Sequence, residues 1–128
     1  MVLPRSMRLK GHRCFDHLYR EGIRYHEPSM MLRVVNAAPK LQKNRVIGNG
    51  INTCRCAIAI SSKVNKKAVV RNRLRRIIHQ HLKNRLYLNS KHSNKWALLS
   101  LKPHSSNKDP SLLLKECDRL LFKAGLIQ

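Results

Sequence analysis

Carboxylates are the scarce component of this chain: 6 Asp and Glu stand against 27 Lys and Arg in 128 residues, a formal net charge of +21. The acids are Asp16, Glu21, Glu27, Asp109, Glu116 and Asp118, so the stretch from Pro28 to Lys108 holds none. An in-line phosphoryl displacement on two metal ions needs clustered carboxylates, and acids this few and scattered argue against such a centre. A phosphate-cradling loop is missing too, because Gly48-Asn49-Gly50 lacks the Lys-Ser/Thr that a P-loop requires. No apolar run approaches the roughly 18 residues of a membrane span, and neither an apolar core nor a cleavage site of a signal peptide stands near the N-terminus. The expectation is a cytoplasmic protein with no membrane partner. Four cysteines are present without any sign of a secreted chain, and they read as reduced thiols. Cys54 and Cys56 have one residue between them, whereas structural zinc sites usually have roughly two to four. Cys56 and His81 are therefore read as packing in or near the core, with no metal site expected.

What is abundant is positive charge. It repels itself in a compact state, and its natural partner is a dense anion such as nucleic acid. The charge concentrates between Lys63 and Leu86, which reads as one long amphipathic helix capped by Asn65. Val70, Leu74, Ile77, Ile78 and His81 recur at helical spacing and form its apolar face. Arg71 and Arg75 flank that face on one side and Arg73 on the other, while Asn72, Arg76, His79 and Lys83 form the back. No acid stands four residues away to balance them. Lys66 and Lys67 fall in the expected first turn, where the helix dipole disfavours cations. A surface built this way calls for a polyanion lying against it.

The length suits one domain over residues 1–128. Residues 1–10 read as a basic extended arm. Gly11 to Glu21 reads as a short helix carrying Cys14, Phe15, Leu18 and Tyr19 on one side and stopping at Gly22. Phe15 and Tyr19 admit two readings, core packing or a platform for unpaired bases. Ser29 to Val35 reads as a strand, residues 36–53 as a long loop with a ragged strand at Arg45 to Gly48, and Arg55 to Ser61 as a clearer strand. A polar loop over Tyr87 to Asn94 leads to a strand at Lys95 to Leu101. Asp109 or Ser111 caps a last helix with the stripe Leu112, Leu113, Cys117, Leu120 and Leu121, ending near Gly125. The sum is an α/β or α+β domain with helices packed on a small sheet.

These residues carry a resemblance. Val69-Val70-Arg71-Asn72-Arg73-Leu74-Arg75-Arg76 resembles the Arg-Asn-Arg signature of the protein subunit of bacterial ribonuclease P. Leu3-Pro4 with Arg8-Leu9 resembles that family's start, and Phe15, Leu18-Tyr19 and Gly22 resemble its first helix. Ala57 to Ser61 with Lys63-Val64 resembles its strand into the signature helix, and Trp96 to Pro103 its last strand. The resemblance implies a two-layer α/β sandwich of order αβββαβα with a left-handed βαβ crossover. It implies a ribonucleoprotein endoribonuclease in which the RNA subunit, with bound Mg²⁺, carries out the chemistry. The protein's partners would be that catalytic RNA and precursor tRNA, whose 5′ leader is removed. By position, Ser61, Lys63, Lys67, Arg71, Asn72, Arg73, Arg75 and Arg76 are the expected RNA-binding set, and Phe15 and Tyr19 the aromatics of a leader cleft. The chain departs from the family at Ser62, where a lysine is common. It departs also at Arg33, where some members place an aromatic, and at Leu101, where a basic residue is frequent. The alternatives are a structural RNA-binding protein of ribosomal type, which composition does not separate, and a stand-alone nuclease, which the scarcity of carboxylates disfavours.

Overall fold

The structure, a computed structural model, describes residues 7–36, 55–86, 95–103 and 105–127. Its elements run α1 (His12–Glu21), β1 (Ile23–His26), β2 (Met30–Asn36), β3 (Arg55–Ala59), α2 (Ala68–Leu86), β4 (Lys95–Leu101) and α3 (Pro110–Lys123), with a 3-10 turn at Ser105–Asn107 before α3. This is the order αβββαβα. The loop over 36–53 beyond Asn36, the ragged strand at Arg45 to Gly48 and the arm before Met7 lie outside the described residues. The described residues add a strand that the sequence reading lacks, β1. It is four residues long and mostly exposed, too short and too polar to give a period-2 signal.

The sheet order is β1-β2-β4-β3. β2 is antiparallel to both β1 and β4, and β3 is parallel to β4. The parallel pair is joined through α2, since parallel neighbours need a crossover. Alternation along the strands separates two faces. Met30, Leu32 and Val34 of β2, Cys56 of β3, and Ala97, Leu99 and Leu101 of β4 face α2 and α3. Val35, Trp96 and Leu98 face α1, with Leu9, Cys14 and Leu18. β4 is buried on both faces, which is why Trp96-Ala97-Leu98-Leu99 is an unbroken apolar run. The end of the arm joins this assembly: Met7 and Leu9 are buried, and the Leu9 amide donates to the Cys56 carbonyl at 3.0 Å.

α2 buries Leu74, Ile78, Leu82 and Leu86, a row at spacing four. Each step of four residues turns about 40° round the axis, so the buried row winds round the helix, packed with the sheet and α3 in one cluster and beginning only at Leu74. Ile77 and His81, expected in the stripe, are half-buried on its flank. α3 is capped by Asp109, whose Oδ1 accepts from the Ser111 amide at 3.0 Å, with Pro110 opening the helix. It buries Leu113, Glu116, Cys117, Leu120 and Leu121. Leu112, expected in that stripe, is 48% exposed. α1 ends because its carbonyl at Leu18 accepts from Gly22 at 2.9 Å. A Cβ on Gly22 would lie 2.4 Å from that same oxygen, so only glycine fits there.

Acidic side chains fasten α3 to the rest. Glu27 follows β1, and its side chain is 8% exposed between Arg119 at 2.5 Å and Lys123. Two residues on, the Ser29 amide donates to Glu116 Oε1 at 2.8 Å, and the Ser29 carbonyl accepts from the Lys102 amide at 2.8 Å. Lys123 and then Arg119 hold the Glu27 carboxyl below its ordinary range. A depressed carboxylate contributes stability above its unfolded pKa and loses it as pH falls through the folded value. Glu27→Gln should therefore cost about 1–2 kcal/mol near pH 7. Urea unfolding along a pH series should show the two proteins converging once the medium is more acidic than the folded carboxylate.

Candidate nucleic-acid interface

The approach to α2 is a turn pinned from inside. Ile60 and Val64 are buried at its two ends, and the Val64 amide donates to the Ser61 carbonyl at 3.0 Å. Ser106 Oγ donates to the Val64 carbonyl at 2.8 Å from the 3-10 turn. Ser61, Ser62 and Lys63 are thereby held out in solvent. The helix begins at Ala68, not at Lys63 or Asn65 as the sequence suggested. The reason is local. Asn65 Oδ1 accepts from the Lys67 amide at 2.9 Å, closing a side-chain turn. The Asn65 and Lys66 carbonyls, which a longer helix would offer to amides four residues on, are taken by Arg71 Nη1 at 2.8 and 3.0 Å. Lys63, Lys66 and Lys67 consequently project from irregular backbone beside the helix start.

On α2 itself, Asn72, Arg73 and Arg76 are exposed and Arg71 and Arg75 half-buried. Arg75 Nη1 donates to Asn72 Oδ1 at 2.9 Å, which orients the amide between Arg71 and Arg73. Among the described residues, none of Lys63, Lys66, Lys67, Arg71, Arg73, Arg75 and Arg76 has a carboxylate partner. The contrast lies at the other end of the helix, where Asp118 of α3 takes His81 at 2.7 Å and Arg85 at 3.1 Å. Burial, then the charges of Arg75 and Arg8, holds His79 below the ordinary imidazole range. The expected RNA-binding set thus lies on one continuous stretch of chain, with Ser61, Lys63 and Lys67 on the turn and the other five on the helix.

Across the sheet, α1 divides the two candidate cleft aromatics. Phe15 is half-buried against the cluster of Leu9, Cys14, Leu18 and Trp96, so it combines packing with partial display. Tyr19 is 56% exposed, and the Arg33 guanidinium carbon lies 4.7 Å from its ring centroid. Trp96 is buried, with the edge of His17 against it at 6.0 Å between centroids.

A family model described as Ribonuclease P matches residues 3–125. The ribonuclease P protein component of Prochlorococcus marinus (strain MIT 9313) is 54% identical over 127 residues, covering 99% of each chain. The chain belongs to the ribonuclease P protein family. The ribonuclease P protein component of Parasynechococcus marenigrum (strain WH8102) is 51% identical over 128 residues, covering 100% of both. Solved ribonuclease P proteins share the fold. That of Staphylococcus aureus has a TM-score of 0.72 at 17% identity, covering 95% of this chain and 98% of its own. That of Thermotoga maritima has a TM-score of 0.66 at 18% identity, covering 89% of this chain and 94% of its own.

The described residues of this member of the ribonuclease P family offer little to a divalent metal ion. Glu27 neutralises Arg119 and Lys123, Glu116 accepts from Ser29, Asp109 caps α3 and Asp118 holds His81 and Arg85. Asp16 lies 3.3 Å from His12. Among the described residues no three His, Cys, Asp or Glu side chains converge, so these side chains do not fit a magnesium site, which needs oxygen ligands gathered on the ion. The thiols are equally occupied by packing: Cys14, Cys56 and Cys117 are buried, and burial pushes the Cys117 thiol up to about 12. Cys54 lies outside the described residues. Among the described residues no helix is long and apolar enough to cross a membrane.

The two kinds of arginine separate by substitution. Arg71→Ala removes both donors to the turn carbonyls and should lower unfolding free energy by about 1–2 kcal/mol. Arg73→Ala with Arg76→Ala should leave it within about 0.5 kcal/mol. Urea titration followed by circular dichroism measures both.

Proposed function

We propose that this chain is the RNA-binding protein subunit of ribonuclease P, assisting a catalytic RNA in removing the 5′ leader of precursor tRNA. The observation that carries the reading is the acid-free basic surface over the 61–67 turn and the N-terminal half of α2, in a chain of this family. In this reading Ser61, Lys63, Lys67, Arg71, Asn72, Arg73, Arg75 and Arg76 bind the RNA subunit. Lysines on the turn act as mobile point charges, while the arginine forks set orientation on phosphate oxygens. Asn72, steered by Arg75, adds a neutral donor and acceptor.

Phe15 and Tyr19 hold the single-stranded leader on the α1 side of the sheet. Their partial exposure supports this, because a stacking platform needs one open ring face and a fixed base. The chain assigns no general acid, base or nucleophile to itself. Its role is to neutralise phosphates of an RNA and a substrate brought together, a repulsion that bulk cations otherwise screen. Magnesium belongs to the RNA in this reading, and the site of action is the cytoplasm.

RNA binding should fall with salt as steeply as roughly five or more phosphate contacts require. Arg73→Ala with Arg76→Ala should weaken binding of the RNA subunit by a few kcal/mol and flatten that slope by about two. A flat slope in the unaltered protein would remove the electrostatic account.

Phe15→Ala and Tyr19→Ala should each cost about 1–3 kcal/mol in binding precursor tRNA that carries a leader, and nothing for mature tRNA. In a cleavage assay over a Mg²⁺ series, protein alone should cut nothing. The benefit of adding it to the RNA should be greatest at low Mg²⁺. Cleavage by protein alone, lost on replacing one of its histidines, would overturn the assignment in favour of a nuclease.

A further inference from the structure

Arg24 of β1 and Arg33 of β2 are direct partners in the antiparallel register. Partners of this kind project to the same side, with Cβ atoms roughly 5 Å apart, and like charges so placed destabilise a sheet. The side is that of α1: Val35, two residues beyond Arg33, belongs to the α1 cluster. Among the described residues neither arginine has a carboxylate or hydrogen-bond partner that would offset the repulsion. Arg33 is half-buried and Arg24 exposed. The Arg33 guanidinium carbon lies over the Tyr19 ring, 4.7 Å from its centroid. Stacking leaves the N–H edge of a guanidinium free, and that edge matches phosphate oxygens. The hairpin therefore presents two unneutralised guanidinium groups beside an exposed aromatic, Arg24 on the edge strand β1 and Arg33 on its inner neighbour β2.

We propose that Arg24 and Arg33 form a clamp for one backbone phosphate of the single-stranded leader, adjacent to the base that stacks on Tyr19. The proposal rests on the leader reading given above and adds a strand to it. The leader's path leaves α1 and continues over the β1–β2 hairpin. Arg33 positions Tyr19 and binds the phosphate, while Arg24 binds the phosphate alone. A phosphate between them converts a repulsive cross-strand pair into an attractive triad, so the site is completed by its ligand.

The test uses enzyme reconstituted from protein and RNA subunits. Precursor tRNAs carry one neutral methylphosphonate linkage at successive leader positions. Arg24→Gln is the principal variant because it leaves the Tyr19 stack intact. With the unaltered protein, one linkage position should weaken binding about tenfold, the loss expected for charge-assisted hydrogen bonds. Arg24→Gln should weaken binding of the all-phosphate precursor by a similar factor, leave mature tRNA unaffected, and make that one position indifferent. The free Arg24→Gln protein should unfold at the same or higher urea concentration, since repulsion is relieved. Unchanged binding, equal loss for mature tRNA, or unfolding at lower urea would each overturn the clamp. Phe15→Ala is the control: if its leader-specific loss persists while Arg24→Gln has no effect, the clamp falls and the leader reading stands. If neither variant is leader-specific, both fall.

Discussion

The buried carboxylate of Glu27, held between Arg119 and Lys123, ties the turn after β1 to the last helix. Along α3 the chain places nearly all its other structural acid: Glu116 on the Ser29 amide, Asp118 on His81 and Arg85, and Asp109 at the start of the helix. With so few carboxylates, using them at the α3 junction leaves none for the 61–67 turn and the start of α2. The polarity of the molecule follows from this allocation. One end is neutralised internally and packs as an ordinary domain, whereas the other keeps its charge for a partner.

Unequal cover on the sheet supplies the second half of the design. α2 and α3 together bury one face, and the ten-residue α1 shields part of the other. β4 stands between β2 and β3 and is apolar on both sides, so the sheet tolerates a partly open face without losing its centre. The open part begins where α1 ends, at Tyr19 and Gly22. Gly22 matters there because the chain must turn hard against the Leu18 carbonyl to enter β1.

The two outer helices, the long helix and the strands β2, β3 and β4 were legible because each has a strong period, an apolar run or a local cap or stop. β1 was not, since four residues with one half-buried side chain carry no pattern. The start of α2 was misplaced because Asn65 is a good cap by type. Whether it caps a helix or closes a turn depends on Arg71, six residues along, reaching back to the carbonyls. The membership of the basic surface was readable from the missing acids. That Arg71 also holds the turn was not, because this depends on hydrogen bonds to the Asn65 and Lys66 carbonyls. The Arg24–Arg33 pairing was invisible for a plainer reason: it exists only once the register of an unrecognised strand is known.

The central position of β4 sets the order in which this fold can be made. β1 and β2 leave the ribosome early, but β2 lacks its inner neighbour until Leu101 has been synthesised, and β3 waits for the same strand. The cover from α3 comes later still. A two-stranded hairpin is marginal by itself, and pairing that spans a crossover is slow to close. For most of its synthesis, therefore, the nascent chain is a polycation without a core. Collapse must await the final quarter of the chain, and then proceeds through a single strand that joins two otherwise separate edges.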